Sequence, residues 1–254
     1  MARGVDTSDS AAASPRWRVS HFEELDSTNR WALDRAREGA AEGLVVVADH
    51  QTAGRGRLDR TWEAPPGSSL LVSVLLRSPA DGGPHEAHRA VIAAAVALAR
   101  AVRTVAGVDA GMKWPNDVVV GDRKLAGILA EHEGDALVVG LGVNVNWEAF
   151  PPELAATATA CNLEAGHAVD RKSLLDAFLT ELATALDDPV ATERAHRELL
   201  VTLGRRVRVS LVRDGVLEGE AVGLGVHGEL EVRDDSGVIH AVTTGDVVHL
   251  RPAT

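Results

Sequence analysis

Residues 51–57 (QTAGRGR) place two arginines among two glycines, directly after the apolar run at residues 44–48 (LVVVA). Glycine lets the backbone approach a ligand closely or adopt a positive φ. Arginine supplies a permanent cation with fork-shaped donors, so Arg55 and Arg57 suit a carboxylate or a phosphate. The spacing matches neither a Walker loop nor a dinucleotide fingerprint. An arginine-rich surface turn is the alternative interpretation, since charged glycine turns are common.

Residues 113–117 (KWPND) combine a cation, a rigid proline turn and an Asn–Asp pair between two predicted strands. Asn116 and Asp117 can simply cap a turn, but an aspartate can also hold magnesium against nucleotide phosphates. Lys124 begins the next predicted strand, seven residues after Asp117. A lysine on a strand is usually solvated, although one that follows a hairpin out of a cationic turn can point back into the same site.

Residues 140–146 (GLGVNVN) carry glycines inside a predicted strand, where they weaken the strand unless a ligand or another backbone comes close. Asn144 in this segment carries both a donor and an acceptor, which suits the edge of an adenine. Residues 27–29 (STN) form a helix N-cap by default, and the same helix start can present donors to a small polar ligand.

Three other groups of residues are weaker candidates for chemistry. Trp62 is more often a core residue than a stacking platform. Cys161 has no base beside it in the sequence, which argues against a nucleophile. His85 and His88 flank Glu86 with the spacing of metal ligands, but no further ligand cluster follows, so no zinc site is predicted.

The pattern of apolar residues predicts the strands and helices that carry these candidate residues. Short apolar runs bounded by turns predict strands, and the run at residues 44–48 indicates a strand buried on both faces. Gly121-Asp122-Arg123 predicts a tight hairpin. The predicted strands cover residues 19–25, 44–48, 69–76, 118–120, 124–131 and 136–145, and the predicted helices follow residues 27–29 or cover 87–105, 171–186 and 190–203.

The residue pattern of the sequence changes at Gly204. Short β-rich segments punctuated by glycine follow, and they predict a small antiparallel barrel. Residues 1–16 are mostly small and polar, which is typical of a disordered tail. We therefore predict a tail at residues 1–16, a larger domain at 17–203 and a barrel at 204–254.

The composition is that of an ordinary globular protein. Its 254 residues are 45% hydrophobic and 25% charged, with 26 Lys and Arg against 37 Asp and Glu, for a formal net charge of −11. Such an acidic chain is a poor candidate for non-specific DNA binding. One cysteine excludes an intrachain disulfide, and no signal peptide or membrane span is legible. We predict a cytoplasmic protein with neither a membrane nor DNA as partner.

Taken in order along the chain, the candidate segments strongly resemble the biotin protein ligase family, which attaches biotin to the carrier domain of biotin-dependent carboxylases. The resemblance rests on STN at 27–29, Gln51, GRGR at 54–57 with Trp62, KWPND at 113–117, KLAGIL at 124–129 and GLGVN at 140–144. It extends from Trp17 onward. The implied fold is α+β, a mixed sheet flanked by helices as in class II aminoacyl-tRNA synthetases and lipoate ligases, with a small SH3-like C-terminal β-barrel.

The resemblance implies a reaction in two steps. ATP and biotin give biotinyl-5′-AMP and pyrophosphate, and the adenylate then passes biotin to a lysine of the biotin carboxyl carrier domain of an acyl-CoA carboxylase. Lys124, Arg57 and Asp117 are implied as catalytic residues, with Asp117 also as a magnesium ligand. The implied biotin contacts are Ser27, Thr28, Asn29, Gln51, Arg55, Gly56, Arg57 and Lys124, and the implied ATP contacts are Arg55, Arg57, Trp62, Lys113, Asn116 and Asn144.

Two departures from the family pattern accompany the resemblance. Fewer than twenty residues precede the first predicted strand, too few for the winged helix-turn-helix with which many such ligases repress biotin synthesis. Residues 158–163 (ATACNL) match the family pattern only loosely, so no nucleotide contact is predicted there. A lipoate or octanoate ligase or transferase of the same fold and a biotin-sensing repressor are the alternatives. We expect a monomer or a weak homodimer.

Overall fold

The computed structural model describes residues 16–78, 83–211, 215–243 and 245–250. Apart from Arg16, the predicted disordered tail lies outside these residues. The described chain forms a seven-stranded mixed sheet with helices packed on it and a five-stranded antiparallel sheet toward the C-terminus. The predicted α+β architecture is confirmed.

The larger sheet contains β1 (Arg18–Leu25), β2 (Leu44–Gln51), β3 (Ser69–Arg77), β4 (Gly111–Lys113), β5 (Asp117–Val120), β6 (Arg123–Glu133) and β7 (Ala136–Asn144). Its strand order is β1-β2-β3-β7-β6-β5-β4. Strands β1 and β2 pair in parallel, and the other neighbouring strands pair antiparallel. The tight turn predicted at Gly121-Asp122-Arg123 joins β5 to β6, as expected.

The helices of the described chain are α1 (Thr28–Arg37), α2 (Gly83–Ala106), α3 (Cys161–Ala165), α4 (Arg171–Asp187) and α5 (Pro189–Leu199). Helices pack on both faces of the larger sheet. On β2, Val46 and Ala48 join the apolar cluster beneath α1, while Val45 and Val47 join the cluster beneath α2 and α4. The prediction that this strand is buried on both faces is therefore confirmed. None of the helices in the described ranges is both long and apolar enough to cross a membrane.

Helix α1 begins and ends where its capping residues predict. Ser27 is extended, and its side chain accepts a hydrogen bond from the N–H of Arg30. The chain leaves the helix through Gly39, whose φ of 90° is accessible to glycine at little cost. This cap directs Thr28 and Asn29, in the first turn, into the interior of the protein, where both are buried.

The smaller sheet contains β8 (Arg206–Leu211), β9 (Gly215–Leu224), β10 (Leu230–Arg233), β11 (Ile239–Val242) and β12 (Asp246–His249). Its strand order is β11-β10-β9-β8-β12, and its neighbouring strands are antiparallel. This small sheet is consistent with the predicted SH3-like domain. Trp114 fastens it to the larger sheet, because the indole Nε1 donates to the carbonyl of Gly228 at 3.0 Å.

Three features of the described chain differ from the sequence-based elements. Helix α5 ends at Leu199 rather than at residue 203, because the chain turns to pair with β4: the N–H of Val201 donates to the carbonyl of Met112 at 2.8 Å. Strand β4, which precedes the turn at residues 114–116, and helix α3 were given no predicted range. With three and five residues they are too short for an apolar period to be read.

Candidate active site

One cavity of about 330 Å³ collects almost all of the predicted site residues. It is enclosed by the start of α1, the loop after β2, the turn between β4 and β5, strands β6 and β7, and the start of β12. The predicted residues that line it are Ser27, Thr28, Asn29, Gln51, Arg55, Gly56, Arg57, Trp62, Lys113, Asn116, Asp117 and Lys124. We call it the first cavity.

Asn144 lies instead on a second cavity of about 520 Å³. Seven residues line both cavities, among them Trp62, Lys113, Asp117 and Lys124, so the two cavities adjoin there. The arrangement offers space for a ligand with two parts, one in each cavity, whose junction lies against Lys124.

The polar floor of the first cavity consists of Thr28, Asn29, Gln51 and Ser73. The N–H of Thr28 donates to Gln51 Oε1 at 2.8 Å, and the Thr28 hydroxyl lies 2.9 Å from the same oxygen. Ser73 Oγ lies 2.7 Å from Thr28 Oγ1 and 2.6 Å from Asn29 Oδ1. These side chains are neutral and hydrogen-bonded to one another, so the floor suits a neutral polar group rather than an ion.

The sequence analysis did not single out Ser73 of the floor or Glu131, which holds the floor from β6. Ser73 is fully buried in the middle of the apolar strand β3, and a hydroxyl inside the apolar run LLVSVLL was the available signal. Glu131 on β6 accepts a hydrogen bond from Asn29 Nδ2 at 2.8 Å and pairs with Arg55 Nη2 at 2.8 Å. A carboxylate directly following the apolar KLAGILA was its signal in the sequence.

The glycines of β7 make room for site side chains. A Cβ atom at Gly140 would lie 2.0 Å from Asn29 Oδ1, and one at Gly142 would lie 2.4 Å from the indole of Trp62. The sequence indicated that a ligand or another backbone lies close to these glycines. In the structure, two side chains lie there instead. Both glycines are required for the site to keep its shape.

The loop after β2 folds as a short β-hairpin. Arg55 forms a β-bridge with Thr61, and a Cβ at Gly54 would lie 2.2 Å from the backbone carbonyl of the opposite arm. The turn of the hairpin has positive φ at Leu58 (56°) and Asp59 (57°), a conformation that costs about 1–2 kcal/mol for each non-glycine residue. This hairpin holds its arginines over the first cavity.

Five cations line the first cavity: Arg55, Arg57, Arg60, Lys113 and Lys124. We call them the cationic rim. Arg55 pairs with Glu131, Lys124 with Asp117 at 2.7 Å, and Arg60 with Asp246 of β12. The rim has more cations than carboxylate partners, so it is positive in a chain whose formal net charge is −11.

Arg57 and Lys113 lie deeper in the rim. Burial lowers the pKa of the Arg57 guanidinium and of the Lys113 ammonium below their ordinary values. Arg57 Nη1 donates to Asn116 Oδ1 at 3.1 Å, and Asn116 Nδ2 donates to the carbonyl of Ile128 at 2.8 Å. Partly desolvated cations attract an anion strongly, because less water screens the interaction.

Trp62 lies where the two cavities meet. Its ring packs against Gly127 and Gly142, and Lys124 Nζ lies 5.6 Å from the ring centroid. Its Nε1 is buried without a hydrogen-bond partner in the described part of the chain. The residue is therefore a wall of the site and not a member of the apolar core.

The loosely matching segment 158–163 does reach the site. The backbone of Lys124 pairs with it, since the N–H of Thr159 donates to the Lys124 carbonyl at 2.9 Å. Asn144 Nδ2 donates to the Thr159 carbonyl at 3.0 Å. Ala158 lines the second cavity. The segment thus fixes the start of β6, from which the Lys124 side chain projects.

No group of three or more His, Cys, Asp or Glu residues in the described ranges could hold a metal ion by itself. Asp117 fits magnesium only as a single ligand, with phosphates and water supplying the rest. Cys161 is buried, and burial raises the pKa of its thiol to about 12, which suits a packing role.

Two family models match the chain. The biotin/lipoate A/B protein ligase family matches residues 21–146, and the biotin protein ligase C-terminal domain matches residues 202–250. Among curated proteins, the chain is 36% identical to the biotin–[acetyl-CoA-carboxylase] ligase of Mycobacterium tuberculosis, over 94% of this chain and 92% of that one. It is 30% identical to the bifunctional ligase/repressor BirA of Bacillus subtilis, over 86% of this chain and 70% of that one.

Solved structures agree with the sequence comparisons. The biotin protein ligase of Aquifex aeolicus in complex with biotin and ATP superposes with a TM-score of 0.78 and 28% identity, covering 92% of this chain and 99% of that one. Both parts of the chain, the mixed sheet and the small C-terminal sheet, have counterparts among the matched family models. The chain therefore belongs to the biotin protein ligases of the biotin/lipoate A/B protein ligase family.

Proposed function

We propose that the chain activates biotin with ATP to biotinyl-5′-AMP and then transfers biotin to a lysine of the biotin carboxyl carrier domain of an acyl-CoA carboxylase. The observation that carries this proposal is the neutral polar floor and the cationic rim within one pair of adjoining cavities. Biotin has the matching chemistry, with a neutral ureido ring at one end and a carboxylate at the other. The names of the relatives support both the substrate and the acceptor.

The ureido end of biotin would lie against the polar floor. Ser27, Thr28, Asn29 and Gln51 offer hydroxyl and amide groups that can accept from the ureido N–H groups and donate to its oxygen. Burial makes these hydrogen bonds selective, since a ligand that lacks them leaves polar groups unpaired.

The carboxylate end would lie under the hairpin of Arg55, Gly56 and Arg57. In the first step a biotin carboxylate oxygen attacks the α-phosphorus of ATP, the bond to the bridging oxygen breaks, and pyrophosphate leaves with the electron pair. Two anions must meet, and charge builds on the phosphoryl oxygens. Lys124 is one of the cations at the junction of the cavities, and we assign it the stabilisation of this transition state.

The nucleotide would occupy the second cavity. We assign Trp62 to stacking on the adenine, Lys113 to the phosphates, and Asn116 and Asn144 to further nucleotide contacts. Magnesium bound to the phosphates would neutralise part of their charge, and Asp117 is the carboxylate at hand for it once the ion pair with Lys124 opens.

In the second step the carrier lysine attacks the acyl carbon of biotinyl-5′-AMP. An amide bond forms, the acyl–oxygen bond breaks, and AMP leaves. At its reference pKa of about 10.4 the acceptor is almost wholly charged near pH 7, so it must lose a proton first. We propose Asp117 as the base that accepts this proton.

Lipoate or octanoate transfer is the alternative of the same fold. The C-terminal domain model that matches residues 202–250 is specific to biotin protein ligases and favours biotin. We place the domain boundary between residues 203 and 204. We also propose a cytoplasmic, DNA-free protein that is a monomer or a weak dimer, and a gel shift at low salt tests the repressor alternative.

Biotin-dependent exchange of labelled pyrophosphate into ATP, with magnesium, tests the first step directly. We expect exchange that requires biotin and is not supported by lipoate. Labelling of a carrier domain lysine then tests the second step. Exchange that proceeds equally without biotin, or that lipoate supports better, would overturn the proposal.

A further inference from the structure

A hydrogen-bond chain of defined direction runs beneath the first cavity, from Thr28 through Ser73 and Asn29 to Glu131. The oxygens of Thr28 and Ser73 lie 2.7 Å apart, Ser73 Oγ lies 2.6 Å from Asn29 Oδ1, and Asn29 Nδ2 lies 2.8 Å from Glu131 Oε2. Every link is within hydrogen-bond distance. Because each hydroxyl has one hydrogen, the direction of one link determines the direction of the next.

Glu131 determines that direction at one end. A carboxylate only accepts, so the atom of Asn29 that faces Glu131 must be the amide nitrogen. The Leu129 carbonyl, 3.3 Å from the same nitrogen, is a longer second acceptor. Asn29 Oδ1 therefore faces Ser73, and the Ser73 hydrogen is committed to it.

The direction carries through to the ligand side of the floor. With its hydrogen committed to Asn29, Ser73 can only accept from Thr28. The Thr28 hydrogen therefore points toward Ser73, because two hydroxyl oxygens 2.7 Å apart must share one hydrogen and the Ser73 hydrogen is used elsewhere. Gln51 Oε1 accepts instead from the N–H of Thr28 at 2.8 Å. The Thr28 oxygen presents its remaining lone pairs to the cavity, so the floor offers an acceptor to a ligand N–H at this point.

The same carboxylate also holds the hairpin. Glu131 Oε1 pairs with Arg55 Nη2 at 2.8 Å, while Oε2 holds Asn29. The Glu131 side chain is 18% exposed, so both bonds are shielded from much of the solvent. One carboxylate thus couples the polar floor to the cationic rim.

We propose that Glu131 is a positioning residue for the substrate, because it fixes the hydrogen-bond direction of the polar floor so that Thr28 accepts from a ureido N–H. It touches neither the reacting carboxylate nor the phosphate. The identity of the ligand rests on the proposed function, whereas the direction of the chain rests on the geometry of this protein alone.

Glu131→Gln tests the proposal, since a glutamine amide can also donate and allows the chain to reverse. We expect the KM for biotin in pyrophosphate exchange to rise about tenfold, which is the weight of one hydrogen bond, with kcat and the KM for ATP changed much less. Glu133→Gln is the matched control on the same strand, because Glu133 also pairs with an arginine, Arg37, but forms no bond to a floor side chain within the described residues. That control should leave all three constants unchanged.

Arg55→Met separates the two bonds of Glu131. It removes the ion pair but keeps the carboxylate on Asn29. Because Arg55 itself lies at the proposed carboxylate end, the double variant carries the comparison: if Glu131 acted only through the hairpin, adding Glu131→Gln to Arg55→Met would leave the biotin KM unchanged. That outcome, or an unchanged biotin KM in Glu131→Gln, would overturn the proposal.

A measurement on the wild-type protein keeps the test independent of catalysis and of the folding of any variant. In ¹⁵N-labelled protein without ligand, the Asn29 side-chain NH₂ should exchange slowly with solvent. Rapid exchange would overturn the proposal even if biotin is the substrate. Wild-type protein that binds no biotin but has a protected Asn29 amide would overturn the proposed function and leave the directed chain supported.

Discussion

The polar floor and the cationic rim lie in the same cavity but are built in opposite ways. The floor comes from residues at the start of α1, on β2 and on β3, and it consists of buried neutral groups bonded to one another. The rim comes from the hairpin, from the end of β4 and from the start of β6, and it consists of cations, of which Arg55, Arg60 and Lys124 pair with carboxylates. Ionised groups cost more to bury than neutral ones, so charge lies toward solvent and neutral polarity lies in the interior.

The contrast between floor and rim explains how one cavity can recognise a ligand with two chemically unlike ends. The rigid floor discriminates by hydrogen bonds, and the rim attracts and neutralises anions. Changes in the floor should therefore alter affinity for biotin, and changes in the rim should alter the adenylation rate and retention of the adenylate.

The largest effect is expected in the rim. Lys124→Ala should lower the rate of biotin-dependent pyrophosphate exchange by roughly 10²–10³, because it removes a cation that acts on transition-state charge. Circular dichroism should show a native fold. Lys172→Ala, which removes a surface ion pair with Asp176, is the control and should exchange at the wild-type rate. Wild-type exchange in Lys124→Ala would remove this residue from the reaction.

The principle that buried groups stay neutral can be tested away from the cavity, at His196 on α5. Its side chain is 3% exposed, and burial lowers its pKa from the ordinary 6.5 to about 4, with Glu193 opposing and His88 reinforcing the shift. Below pH 6.5 the imidazole of His196 binds a proton in the unfolded chain, whereas in the folded chain it stays neutral until the pH nears 4. The free energy of unfolding should therefore be largest above pH 6.5 and decrease by up to roughly 3 kcal/mol as the pH falls toward 4.

Urea unfolding of the wild type and of His196→Gln across this pH range measures the effect. The variant should lose less stability between pH 6.5 and pH 4 than the wild type does. His167→Gln, at an exposed histidine, should keep the wild-type slope. Equal slopes in wild type and His196→Gln would show that burial does not keep His196 neutral.

A smaller effect is expected in the floor. Ser73→Ala leaves Asn29 Oδ1 and the Thr28 hydroxyl without a shared partner, so the KM for biotin should rise about tenfold. The KM for ATP should stay near the wild-type value, since Ser73 does not line the second cavity, where the nucleotide is placed. Ser69→Ala, on the same strand, removes a bond to Trp147 and should leave the biotin KM unchanged. A matching rise in both KM values would contradict the division between floor and rim.

The smallest effect is expected where the second sheet meets the hairpin. Asp246→Asn removes the partner of Arg60, but both side chains are substantially exposed, and such pairs contribute at most about 1 kcal/mol. Release of free biotinyl-5′-AMP should accelerate only a few-fold. Asp235→Asn, which removes an ion pair with Arg206 outside the cavities, should have no effect. A hundredfold acceleration would make this contact a principal closure of the site.

Much of this protein was determined by its sequence alone. The apolar runs and turn residues predicted six of the seven strands of the larger sheet, the capped start of α1 and the small C-terminal sheet, because these features depend on neighbouring residues. The ordered segments from Ser27 to Asn144 identified the family and nearly all of the residues that line the cavity. Local patterns suffice where a residue's role depends on its own segment.

Which of these residues contact one another depends on the tertiary structure. Ser73 and Glu131 read as members of ordinary strands, yet β3 and β6 bring them against Asn29 from distant parts of the chain. The glycines of β7 make room for Asn29 and Trp62, which no local pattern indicates. The order β3-β7-β6 brings these residues together, and strand order depends on long-range pairing that the sequence of any one segment does not encode.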